Sequence, residues 1–89
     1  MGAIEIRVTG RVQGVGFRAW AASRARAFRL TGWVRNAEDG SVEIHAEGPD
    51  DSLERFLGAL REGSPYSSVD GVVSRRVDAR GYRGFDIAY

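Results

Sequence analysis

The chain has 89 residues, 43% of them hydrophobic, with 13 arginines, 12 acidic residues and a formal net charge of +1. That length supports one core with little margin, and no cysteine is present to add a disulfide, a thiol nucleophile or a thiolate ligand. The complete absence of lysine excludes Schiff-base chemistry and a Walker-type phosphate loop, and the near balance of charge lacks the basic footprint of a nucleic-acid binder.

Genome composition or adaptation to heat explains the missing lysine more simply than any functional demand. A cysteine-free chain suits a reducing compartment, so the cytoplasm is the expected location. The N-terminus alternates Ile4, Ile6 and Val8 with Glu5, Arg7 and Thr9, unlike the continuous apolar run of a signal peptide or membrane span. Ile6 also stands where a myristoylation signal needs Ser or Thr. The alternation predicts a first strand over residues 3–9.

Gly10-Arg11-Val12-Gln13-Gly14-Val15-Gly16-Phe17-Arg18 follows as a strand-to-helix loop. Its glycines permit positive φ and close approach of backbone N–H groups to a ligand, and the next helix adds its N-terminal partial charge. Such a loop suits an anion, and the Arg18 fork matches phosphate or carboxylate oxygens in pairs. Phe17, Trp20, Ala21, Ala25 and Phe28 then recur on one helical face, predicting a helix over about residues 17–28 with its aromatics in the core.

Residues 32–36 and 41–47 read as two short strands, and Asp39-Gly40 between them supplies the positive φ of a tight antiparallel hairpin. Gly48-Pro49 ends the second of these. A second helix starts at Asp50 and Asp51, with Asp51 and Glu54 as a capping box; Leu53, Phe56, Leu57 and Leu60 line one face and Gly63 stops it. A loop over residues 64–68, a strand over 69–77 with a bulge near Gly71, and a short strand over 85–89 complete the chain. This order predicts an α+β, ferredoxin-like βαββαβ sandwich: one domain over residues 1–89, a four- to five-stranded antiparallel sheet, and two helices on one face.

Gly14-Val15-Gly16-Phe17-Arg18-Ala19 formally satisfies the dinucleotide fingerprint, but that fold needs a wide parallel sheet, which a hairpin directly after the second strand forbids. His45, the only histidine, shares a sheet face with Glu43 and Glu47 and is expected to face solvent. Glu38 and Asp39 read as turn residues in preference to a catalytic carboxylate pair. Asn36 leaves two readings equally open: a turn residue, or an amide that accepts and donates hydrogen bonds and so can position a water.

The glycine loop, together with Thr31-Gly32-Trp33-Val34-Arg35-Asn36-Ala37-Glu38-Asp39-Gly40-Ser41-Val42-Glu43, closely resembles the two signatures of acylphosphatases. The spacing between them, Gly48 before an acidic helix start, and the Phe85-Asp86-Ile87-Ala88-Tyr89 ending extend the resemblance over nearly the whole chain. It implies hydrolysis of the carboxyl–phosphate bond of small acyl phosphates without metal or cofactor. Arg18 would bind the phosphate and Asn36 would position the water. The segment Gln13, Gly14, Val15, Gly16, Phe17 and Arg18 would cradle the phosphoryl oxygens, and the substrate's own phosphate would take the proton. Arg29 departs from the pattern where many relatives have glycine, Ala37 replaces a threonine of animal members, and the 64–67 loop has an uncommon form. The competing expectations are an accessory module of a larger carbamoyl phosphate-handling protein, which a chain ending at Tyr89 argues against, and an RNA-binding ferredoxin-like domain, which lacks its aromatic motif here. A monomer without nucleic-acid or membrane partners is expected.

Overall fold

Alternating side chains decide which way each strand faces. In the computed structural model, which describes residues 1–89, strand β1 (Gly2–Arg11) buries Ile4, Ile6 and Val8 against the helices and turns Glu5, Arg7 and Thr9 to the opposite face. Helix α1 (Phe17–Ala27), strands β2 (Thr31–Asn36) and β3 (Val42–Gly48), helix α2 (Asp50–Glu62) and strands β4 (Ser68–Arg76) and β5 (Phe85–Ile87) follow. The sheet order is β4-β1-β3-β2-β5, with both split βαβ units interleaved as the element order predicts. One core cluster joins Phe17, Ala21 and Ala25 of α1, Phe56, Leu57 and Leu60 of α2, and the inward residues of the strands; Trp20 and Phe28 pack against it half-buried.

The sheet is mixed, whereas a wholly antiparallel one was expected. β5 runs parallel to β2, pairing Gly32 with Phe85 and Val34 with Ile87. β4 ends at the edge where β1 begins, and residues 77–84 carry the chain across the open face of the sheet to the start of β2. Entering at that end, β5 can only run alongside β2 in the same direction.

That crossing segment also overturns the expectation for His45. Both His45 and Glu47 are only 3% exposed. Glu47 accepts hydrogen bonds from His45 Nε2 and from the Arg80 and Gly81 amides, while the Tyr82 ring stands edge-on to the imidazole. Strand alternation gave the correct face but could not show that a distant loop covers it. The capping box is absent too: α2 begins at Asp50 with Pro49 at its N-cap and no side-chain cap, so Asp51 sits in the first turn as a charge near the helix dipole. The β1–β4 register slips between Thr9 and Gly10, bulging β4 at Asp70 beside Gly71.

Candidate active site

The ends of β1, β2 and β5 meet at one edge of the sandwich. β1 extends to Arg11, so the glycine loop proper is residues 12–16, anchored by buried Val12 at its start and buried Phe17 just after it. Gly14 and Gly16 hold φ of 74° and 76°, and a Cβ at either would touch nothing within 4 Å. Glycine is therefore required for backbone conformation, since space is free on the side where these residues line a cavity. Gly16 is the α1 N-cap in the left-handed region and offers no side-chain cap. The amides of residues 13–19 donate to no backbone carbonyl, and Trp20 is the first to close a helical bond, to Gly16. A row of free N–H groups thus remains at a helix N-terminus, which is an anion-binding arrangement.

The cavity holds about 150 Å³ and is lined by Val12, Gly14, Gly16, Phe17, Arg18, Ala19, Asn36, Ile87 and Tyr89. Arg18, in the first turn of α1, donates from Nη1 to the Ala88 carbonyl at 3.3 Å, and its guanidinium carbon lies 4.7 Å from the centre of the Tyr89 ring. The aromatic face and the carbonyl fix the fork while most of its donors stay available. Asn36 ends β2 on the inward side of the sheet, opposite Val42, and is exposed at the same cavity. Asn36 and Ala88 lie 52 positions apart in the sequence, yet both flank Arg18; only the pairing of β5 with β2 brings this about.

Gln13 departs from its neighbours. Its side chain turns towards the β2–β3 turn, where Nε2 donates to the Ala37 and Ser41 carbonyls at 2.8 and 2.9 Å, so only its backbone amide is available to the cradle. Val15 is half-buried against the core and Phe17 lies within it. The contacts of Arg18 with Ala88 and Tyr89 had no local signal in the sequence, because they depend on where β5 docks.

A larger, shallow depression of about 460 Å³ occupies the open face of the sheet, among Glu5, Arg7, Trp33, Arg35, Glu43 and Arg75. Its cations are neutralised: Arg7 pairs with Asp39 and Glu43, Arg35 with Glu43, and Arg75 with Glu5. The small cavity, by contrast, presents Arg18 with no acidic side chain among its lining residues. No group of three or more His, Cys, Asp or Glu side chains is arranged to hold a metal ion.

The family model for acylphosphatase matches residues 4–87. The chain belongs to the acylphosphatase family. It is similar to the acylphosphatase of Bacillus velezensis, with 51% identity over 81 residues and 90% of each chain covered, and to that of Archaeoglobus fulgidus, with 42% identity over 87 residues and 98% of each covered. The crystal structure of acylphosphatase from Bacillus subtilis superposes with a TM-score of 0.97 over the full length of both chains, at 43% identity. The likeness extends to a stretch of full-length HypF in its phosphate- and nucleotide-bound form, with a TM-score of 0.88 and 31% identity; 99% of this chain corresponds to 12% of that one. The chain is thus an enzyme of the class that hydrolyses the carboxyl–phosphate bond of acyl phosphates.

Proposed function

We propose that Arg18 and the backbone amides of residues 13–18 hold the phosphoryl group of a small acyl phosphate, and that Asn36 positions the attacking water. The observation that carries this reading is the shared lining of one cavity by Gly14, Gly16, Arg18 and Asn36. The water oxygen bonds to phosphorus as the bond from phosphorus to the acyl oxygen breaks; the acyl group leaves as a carboxylate and inorganic phosphate remains. Charge on the phosphoryl oxygens and the departing carboxylate falls to Arg18 and the amide row, so positioning and electrostatics supply most of the rate.

No acidic or histidine side chain lines the cavity, and His45 is tied to Glu47 beneath the 77–84 segment. The proton of the water therefore goes to an oxygen of the substrate's own phosphate, in keeping with a lining that lacks acidic side chains to repel a dianion. The same reading takes residues 1–89 as one catalytic domain, supported by a single core cluster, and takes the enzyme to act as a monomer. A cytoplasmic location accords with the absence of cysteine.

Incubation with benzoyl phosphate, following loss of the acyl phosphate, tests this directly. Acceleration over buffer is expected for the parent and loss of it for Arg18→Ala. A parent protein no faster than buffer would sink the reading and leave a phosphate-binding module of the kind that forms part of a longer chain.

A further inference from the structure

The phosphate cradle and Asn36 lie on different elements, and catalysis requires their separation to be fixed. Loop 12–16 follows β1, whereas Asn36 ends β2, and β3 lies between those strands in the sheet. The two parts are therefore not hydrogen-bonded to each other through the ladder. The hydrogen bonds that join them come from one side chain. Gln13, adjacent in sequence to Gly14 of the cradle, donates to the carbonyl of Ala37, adjacent to Asn36, at 2.8 Å, and to the carbonyl of Ser41 at 2.9 Å.

The receiving turn is itself closed. Ala37 N donates to the Ser41 carbonyl at 2.8 Å, and Asp39 accepts from the Ser41 amide at 2.9 Å, from its hydroxyl at 2.6 Å and from Arg7 at 2.6 Å. A turn locked in this way transmits the position of its anchor to the residue beside it. Two carbonyl acceptors demand two N–H donors on one rigid group, which is what a primary carboxamide offers. A carboxylate of the same shape has only acceptors and would face those carbonyls with repulsion.

We infer that Gln13 is a positioning residue: its carboxamide, bridging Ala37 and Ser41, sets the distance between the phosphate cradle and Asn36. The inference rests on the roles given above to the cradle and to Asn36. It assigns Gln13 a function through Asn36 and not through contact of its side chain with phosphate. Displacement of a reacting group by about 1 Å can cost on the order of a hundredfold in rate.

The experiment measures kcat for benzoyl phosphate and the inhibition constant of inorganic phosphate for the parent, Gln13→Met, Gln13→Glu, Asn36→Ala and the double variant Gln13→Met/Asn36→Ala. Both Gln13 variants should lose about tenfold or more in kcat while the phosphate inhibition constant stays within about threefold of the parent, which also shows that the cradle remains folded. The double variant should be no slower than Asn36→Ala alone, because a residue acting through Asn36 has nothing left to position. Parental kcat in Gln13→Met would overturn the proposal. So would a phosphate constant that weakens in step with kcat, which marks direct phosphate contact, or full additivity in the double variant. An Asn36→Ala protein as active as the parent would instead remove the water-positioning role itself, a distinguishable failure.

Discussion

In the role proposed for it, Arg18 must stay charged, planar and aimed at a phosphoryl group. The Ala88 carbonyl and the Tyr89 ring hold its guanidinium in place. Arg18→Ala should weaken phosphate binding and turnover together. Arg18→Lys should not restore the parent rate, since a point charge lacks the fork; a fully active lysine variant would refute the bidentate argument. Asn36→Ala should lower kcat by roughly a hundredfold with little change in phosphate affinity, the pattern of an interaction made in the transition state. Steady-state kinetics with phosphate as a competitive inhibitor separate the two outcomes.

At the scale of elements, the two ends of α1 solve opposite problems. Its N-terminus leaves amides unpaired for a ligand, while its C-terminus satisfies its carbonyls internally: the Leu30 amide donates to Ala25 O and the Arg29 amide to Arg26 O. This is a Schellman closure, and it places Arg29 in the left-handed region at φ 61°, the one residue other than glycine with positive φ. The departure noted at Arg29 thus has a conformational cost that a glycine would avoid. Arg29→Gly should stabilise the fold by about 0.5–1 kcal/mol after allowing for the greater freedom of glycine in the unfolded chain, and each kcal/mol raises the melting midpoint of a domain this size by about 4–8 °C. Thermal unfolding checks this, and an unchanged or lower midpoint would mean that the arginine gains compensating contacts. Activity should be unaffected, because this closure lies at the end of α1 remote from Gly16.

Across the whole molecule, the 77–84 crossing segment is what makes five strands into one sheet with a complete site. It is fastened at the edge opposite the cavity by the buried Glu47 carboxylate. Burial alone would push that carboxyl up, but the Arg80 amide, His45 and the Gly81 amide outweigh it and hold it below its ordinary value of 4.5. A carboxyl lowered in the folded state stabilises the protein above the unfolded value, and that contribution is lost as pH falls through the lowered one. Stability should therefore decline as pH drops below about 4.5. Glu47→Gln should flatten this acid limb in denaturant titrations at several pH values, while kcat at neutral pH stays within about twofold because the site lies at the other end of the sheet. A variant with an unaltered acid limb would remove Glu47 as its source.

Patterns local in the chain were readable without coordinates. Alternation in β1 gave its inward face, the helical spacing from Phe17 gave α1, Asp39-Gly40 gave the hairpin, and the glycine loop with Arg18 gave a candidate anion site, because each depends on residues a few positions apart. The resemblance of two motifs to acylphosphatases supplied the partnership of Arg18 with Asn36 before any distance was known. The tertiary structure alone decided the parallel docking of β5, the burial of His45 and Glu47, the bracing of Arg18 by Ala88 and Tyr89, and the turning of Gln13 from the cradle to the β2–β3 turn. Each of these is a contact between segments far apart in sequence, fixed by which edge of the sheet remains open and by where unpaired carbonyls and amides find partners, and periodicity carries no record of either.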